Sequence, residues 1–279
     1  MEIVNLILNV AGVLLWINWL ISPANASLGV PTTLLGTLRR AEQTNIRRWY
    51  VLALLPALLT IRAWAYWELS AANPWVPALN FEVFSVPFRT DIFKRAFSFS
   101  VLSFLLALAL FCSWLLLLSV LNPRPTTPDP FGRFVRVLLG PIARFPRWLQ
   151  VLLPLLIAVP VWLGVSYLLE WMRITPTPAH VWHRLEQGAL IGLSSFLTWS
   201  HVLAVLLLLQ FINTYVHLGE HPLWSYVNAL TRTLLQPFRV IPMRFGKVDF
   251  TPLVALALIY LLSGGAERLL RWVNGKLPL

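Results

Sequence analysis

The sequence is poor in the residues that build a wetted surface. Asp, Glu, Lys and Arg make up only 12% of its 279 residues, where a soluble domain carries about a quarter. So few charges cannot coat a globule of this size, which excludes a water-soluble fold. Cysteine is almost missing. The single Cys112 excludes a disulfide framework and any multi-cysteine zinc or iron–sulfur site, and within an apolar run it reads as a small buried hydrophobe. Also missing are a Gly-x-Ser-x-Gly elbow, a His-Glu-x-x-His pair, a Gly-rich phosphate loop ending in Lys-Ser/Thr, and paired carboxylates within an apolar run. Catalysis in a bilayer needs ionisable groups facing an internal cavity, so these absences argue against an enzyme. We assign no catalytic, metal-ligating or cofactor-binding residue and no cofactor.

What the chain has in excess is apolar. Hydrophobic residues reach 58%, with 14 Trp and 21 Pro, a composition suited to lipid-embedded helices with aromatic anchors and Pro-broken segments. A spanning helix needs about 20 mainly apolar residues. Six stretches meet or approach that length: Ile3–Ile21, Trp49–Trp67, Ala96–Leu121, Trp148–Leu169, Gly188–Ile212 and Phe250–Ala266. Arg62 lies toward the far end of the second, where a long side chain can snorkel to the headgroups. The sixth is the shortest. Ala24-Asn25-Ala26 resembles a leader cleavage site, but the preceding segment carries Glu2 and no Lys or Arg, so a retained helix is the expectation.

The net charge of +11 would suggest nucleic acid in a soluble protein. Here the basic residues sit between apolar runs, which points to anionic lipid headgroups instead and not to nucleic acid. Pro56, Pro154 and Pro252 are each 98 residues apart, each near the start of an apolar run with another run upstream. The unit this suggests is a helical hairpin closed by a basic loop, repeated three times. The fold class expected is therefore an all-α membrane protein of about six transmembrane helices in three hairpins.

Two of the loops share a finer pattern. Phe131, Phe134, Val135, Leu138 and Ile142 follow the spacing i, i+3, i+4, i+7, i+11, and Leu223, Tyr226, Val227, Leu230 and Leu234 repeat it. On a helix of 3.6 residues per turn each set forms one stripe, with Arg133 and Arg136, or Asn228 and Arg232, to the side. Two readings follow: a short interfacial helix with its stripe toward acyl chains and its arginines toward phosphates, or a stripe that packs on the membrane helices. The lipid-headgroup candidates are Arg133, Arg136, Arg144, Arg147, Arg232 and Arg239.

The last loop carries more. His221-Pro222-Leu223-Trp224, Thr231-Arg232-Thr233-Leu234-Leu235-Gln236-Pro237-Phe238-Arg239-Val240-Ile241-Pro242 and Gly246-Lys247-Val248-Asp249-Phe250-Thr251-Pro252 resemble the YggT (YlmG-like) family signature. The matching positions are Pro222, Thr231, Leu234, Leu235, Pro237, Arg239, Ile241, Pro242, Gly246, Asp249 and Pro252. His221 stands where the family has Asn, Thr233 where it has Pro, Val240 for a basic residue, Lys247 for Gly and Thr251 for Ser. The middle loop, with Asp129-Pro130-Phe131 and Gly140-Pro141-Ile142, resembles a degraded copy. The division expected is residues 1–95 as an amino-terminal membrane hairpin and degenerate repeat plus a Pro- and aromatic-rich outer loop, 96–172 as a degenerate YggT-like hairpin, and 188–279 as the YggT-like hairpin. The resemblance implies a bacterial or plastid membrane protein tied to envelope or division processes, osmotic tolerance or, in plastid relatives, haem attachment to a b-type cytochrome, with motif residues that are not catalytic.

The motif also has a physical account. Pro237 and Pro242 end the loop helix by removing donors and disfavouring the α region before them, and Asp249 with Thr251 and Pro252 suits the start of the next helix. Among the other polar residues, His201 stands mid-span with Ser194, Ser195, Thr198 and Ser200 nearby, so a hydrogen bond to another helix is expected in preference to a metal or haem role. His180 and His183 are a pair with no third ligand. The run Asn73-Pro74-Trp75-Val76-Pro77 through Phe88 is too apolar for an ordinary loop and reads as a segment that lies on the outer interface, docks a partner or packs on its own bundle.

Function follows as a non-enzymatic scaffold or assembly factor in the bacterial cytoplasmic (inner) membrane, partnered by anionic lipid and by another membrane protein or a second copy. The alternative is a secondary transporter or channel-like protein on parallel repeats, favoured by the internal repeat and by Gly188, Gly192, Gly264 and Gly265, and disfavoured by the lack of carboxylates within the spans.

Orientation follows from the loop charges. The first, third and fifth connections hold thirteen basic residues: Arg39, Arg40, Arg47, Arg48, Arg124, Arg133, Arg136, Arg144, Arg147, Arg232, Arg239, Arg244 and Lys247. The opposite side holds eight: Arg89, Lys94, Arg95, Arg173, Arg184, Arg268, Arg271 and Lys276. Both termini are expected to face away from the cytoplasm. Cysteine labelling of intact cells should leave positions beside Arg144 and Arg239 unlabelled and should label His180→Cys; labelling beside Arg239 from outside would reverse the topology.

Overall fold

The computed structural model describes residues 2–26, 34–72, 76–122, 130–175, 180–215, 221–237, 244–245 and 248–276. The chain is a multi-pass membrane protein: six helices are long and apolar enough to cross a bilayer, at Ile3–Ile21, Trp49–Ser70, Phe93–Leu121, Arg147–Trp171, Val181–Thr214 and Thr251–Lys276. In chain order the elements are α1 (Glu2–Ala26), α2 (Leu34–Ala72), β1 (Ala78–Phe81), β2 (Phe84–Pro87), α3 (Phe93–Leu121), α4 (Pro130–Leu139), a 3-10 turn (Gly140–Arg144), α5 (Arg147–Trp171), α6 (Val181–Tyr215), α7 (Pro222–Leu235), β3 (Arg244–Phe245), β4 (Val248–Asp249) and α8 (Thr251–Lys276). Their apolar residues face outward. Ile3, Leu6, Ile7, Val10 and Leu14 of α1 are exposed at helical spacing, as are Leu258, Leu261 and Leu262 of α8. An exposed apolar stripe suits a helix whose solvent is hydrocarbon.

Two compact units form, residues 1–79 with 86–111, and residues 80–85 with 112–279. In the first, Val13 of α1, Leu59 of α2 and Phe104 of α3 make the buried centre. The Ser100 hydroxyl donates to the Leu59 carbonyl at 2.9 Å, which ties α3 to α2.

In the second unit α6 is the hub, packed against α5, α7 and α8. At about 1.5 Å per residue its 35 residues reach about 52 Å, well beyond the hydrocarbon core. A Cβ built on Gly192 would lie 2.9 Å from the Leu155 Cα, and one on Gly188 would lie 3.1 Å from the Val159 Cα. These two glycines, four apart, let the α5 and α6 backbones touch. The sixth span is no shortened helix. It runs to Lys276 because Glu267 and Arg271 pair at i, i+4 and Lys276 lies over the Trp272 ring, supporting the turns beyond the apolar stretch.

Several expectations need correction. The basic segment with Arg39, Arg40, Arg47 and Arg48 belongs to helix α2, not to an open loop. Pro56 and Pro154 lie inside their helices, whereas Pro252 is the second residue of α8, so the three prolines are not in equivalent places. The Pro- and aromatic-rich loop forms a β-hairpin. Leu79, Val86 and Phe88 are buried, and the hairpin-tip rings of Phe81 and Phe84 pack edge-on against Trp162 of α5 at 5.3 and 5.7 Å. The segment is apolar because it packs on its own chain.

The close α5–α6 approach makes a measurable demand. Gly192→Leu must push the two backbones apart, at about 1–3 kcal/mol, and should lower the melting temperature of the purified protein in detergent. Gly264→Leu, where a Cβ meets nothing within 4 Å, should leave it unchanged.

Candidate functional site

The motif-bearing part of the second unit is built around α7. His221 precedes the helix in an extended conformation, and its Nδ1 accepts the Leu223 backbone N–H at 3.2 Å, with Pro222 at the first helical position. The imidazole thus fills the capping role an Asn oxygen would fill, which explains why His221 is tolerated there. The stripe then turns inward: Tyr226, Val227 and Leu230 form a buried cluster with Leu206 of α6, against which Leu118, Leu121 and Phe131 pack. The rings of Phe131 and Tyr226 stack at 5.9 Å. Packing is therefore the use of this stripe.

Thr231 is 1% exposed. Its hydroxyl is 2.8 Å from the Val227 carbonyl and 3.0 Å from the Gln210 side-chain oxygen on α6, so it can donate across the two helices. Asn213 donates to Asn228 at 3.2 Å beside it. Leu234 and Leu235 are half-buried, Pro237 and Arg232 are exposed. Past α7, strands β3 and β4 pair antiparallel, Arg244 opposite Asp249 and Phe245 opposite Val248. Asp249 thus belongs to a strand. The residue whose carbonyl accepts the first α8 bonds, from Leu253 and Val254, is Phe250. Pro252 is buried in the first turn. Arg239, Ile241, Pro242 and Gly246 lie outside the described residues.

Residues 189–270 match the CCB3/YggT family model. The matched stretch takes in α6 from Ala189, α7, β3, β4 and most of α8, with every motif position from Pro222 to Pro252. No curated protein and no solved structure matches the chain. Within the matched segment His221 caps α7, and Thr231 with Gln210 and Asn213 with Asn228 tie α7 to α6. His201 is exposed and has no hydrogen-bond partner among the described residues; the neighbouring hydroxyls bond to carbonyls of their own helix, Ser194 to Ile191 and Ser200 to Leu197. Ser263 of α8 meets Ser200 at 3.2 Å instead. The rings of His180 and His183 lie 5.9 Å apart and His183 pairs with Glu186, and no group of three or more metal-ligating side chains forms there or elsewhere among the described residues.

The middle-loop arginines are placed by α4 and the turn after it. Arg133 and Arg136 are exposed on α4, and Arg144 and Arg147 flank the start of α5. Gly140 ends α4 with φ +55°, a left-handed conformation that favours glycine. Ile142 consequently sits in the 3-10 turn and not on the α4 stripe.

Sequence reasoning missed the most polar feature of the first unit. Arg62 does not snorkel: it is 2% exposed. Its Nε donates to the Tyr66 hydroxyl at 2.8 Å, Nη1 to the Asn9 side-chain oxygen at 2.6 Å, and Nη2 to the Ser103 hydroxyl at 2.9 Å and to Asn5. Asn9 also donates to Ser103 at 3.1 Å. Four residues on α1, α2 and α3 thus surround one guanidinium with neutral oxygens. The signal was present in the sequence as Asn5 with Asn9, and Arg62 with Tyr66, each four apart in otherwise apolar runs.

Hydrogen bonds to a charged group contribute about 1.5–3 kcal/mol each. Arg62→Met and Asn9→Leu should each destabilise the detergent-solubilised protein by at least that much, and the double variant should lose clearly less than the two losses added. Additive losses would mean that Arg62 points away from Asn9.

Proposed function

We propose that the protein is a membrane scaffold or assembly factor of the YggT type, working without catalysis in the bacterial cytoplasmic membrane in envelope, division or membrane-complex assembly. It acts through another membrane protein or a second copy, with its basic loop helices on anionic lipid and both termini away from the cytoplasm. The observation that carries this reading is the use made of the motif. Thr231 of the signature and the Tyr226–Val227–Leu230 stripe around it bind α7 to α6, and His221 caps α7, so this segment specifies a shape, and a specified shape at the membrane surface is what assembly requires. The Pro- and aromatic-rich loop packs its tip internally at Trp162.

Purification of the tagged full chain in a mild detergent after in-cell cross-linking tests the reading. A membrane protein recovered in fixed stoichiometry, or a cross-linked pair of this chain, is the expected result, and Thr231→Val with Tyr226→Ala should reduce it. A monomer that recovers no protein and carries solute across proteoliposome membranes would establish the transporter alternative.

A further inference from the structure

The two loop helices share a sequence spacing and present different surfaces. On α7 the residues turned away from the core are Pro222, Ser225, Asn228 and Arg232, a polar outer face. On α4, Val135, Leu138 and Leu139 are buried, but Phe134 and Val137 are 41% and 43% exposed. At about 100° per residue the helix divides into three arcs: a buried face, an exposed apolar face bearing Phe134 and Val137, and a basic face bearing Arg133 and Arg136. An ordinary surface helix has two arcs, not three.

The exposed apolar arc continues along the chain. Phe145 and Trp148 are exposed as well, at 43% and 65%, and Trp148 is the second residue of α5, a spanning helix. The connection is fixed. The Gln150 amide donates to the carbonyls of Ala143 and Phe145 at 3.2 and 3.0 Å, which holds the 3-10 turn on the first turn of α5 and sets Arg144 and Arg147 at its ends. From residue 130 to residue 169 there is no Asp or Glu.

We propose that α4 and the turn after it form a lipid-binding platform, with Phe134, Val137, Phe145 and Trp148 inserted among acyl chains and Arg133, Arg136, Arg144 and Arg147 on the phosphates of anionic phospholipids. The occupant is the bilayer and not a protein, because the apolar arc runs into a membrane-spanning helix and because the charge around it has one sign. This deepens the lipid half of the proposed function by assigning it to α4 alone; α7, despite its matching stripe and Arg232, lacks the inserting face.

The test uses the full chain in liposomes of phosphatidylcholine with or without phosphatidylglycerol. In a Cys112→Ser background, a fluorophore on Phe134→Cys should be quenched by lipids carrying a shallow nitroxide and protected from aqueous iodide, and one on Ser225→Cys of α7 should show the reverse. Equal iodide access at both positions, or a label at position 134 shielded from lipid and iodide alike, overturns the proposal, the second because a protein then covers the face. Native mass spectrometry of lipid-bound protein supplies the charge arm. Replacing the four arginines with Gln, each worth about fivefold near an anionic surface, should lower the preference for phosphatidylglycerol by at least about tenfold at low salt, with a smaller drop as salt is added, and Arg232→Gln should change it little. An unchanged preference in the fourfold variant overturns the arginine assignment. Retained lipid quenching with no recovered partner would sink the assembly reading and leave the platform standing.

Discussion

The constraint on which the rest of the structure depends is that hydrocarbon offers no hydrogen bonds, so a polar group buried among the spans is held by partners inside the chain. Arg62 states it most sharply. An arginine at the centre of a span costs about 2.5–3.5 kcal/mol on insertion scales and less toward its end, and hydrogen bonds to a charge contribute about 1.5–3 kcal/mol each. Tyr66, Asn9, Asn5 and Ser103 together are therefore enough to hold it. They also fix α1 and α3 against α2, because no rotation of one helix keeps all four contacts. An apolar interface between the same helices would slide, since lipid tails pack on Leu as well as another Leu does.

The second unit meets the constraint by other means. Its serines and threonines mostly return their hydroxyl protons to carbonyls three or four residues back, as Ser194, Thr198 and Ser200 do on α6, so few groups reach across. Helix contact there comes from closeness instead. Gly188 and Gly192 give α5 and α6 backbone proximity that dispersion forces reward, and Thr231 with Gln210 adds one polar tie between α7 and α6.

How much of this the sequence made legible depends on the length scale of the signal. The six spans, the two loop helices and the segment that matches the CCB3/YggT model were legible because each is carried by a run of many residues, over which period, composition and motif add up. Arg62 was misread because its distance from the helix end, counted along the chain, permits snorkelling, and only the folding of α1 and α3 onto α2 supplies Asn9 and Ser103. The hairpin at Phe81 and Phe84 was unreadable as strand since each of its strands is only four residues long beside Pro77 and Pro87, and Trp162, on which its tip packs, lies elsewhere in the chain. Of the motif positions, His221 as a cap could have been found from its place before Pro222, and the strand at Asp249 could not, because a two-residue ladder leaves almost no pattern.

The two loop helices show why a stripe in a sequence does not identify the solvent on its other side. The spacing i, i+3, i+4, i+7 predicts that one face is buried, and on both α4 and α7 that face is buried against the rest of the unit. What the remaining arc contains is an independent matter, settled by residues the stripe ignores: Ser225 and Asn228 on α7, Val137 on α4. Even Phe134, counted as a stripe residue by spacing, lies outside the buried arc because Phe131, Val135 and Leu138 already fill it. A helix with a buried face and a polar face is complete as a surface element. One with a buried face, an apolar face and a basic face is complete only where water, hydrocarbon and phosphate meet, which is the boundary the proposed lipid platform assigns to α4.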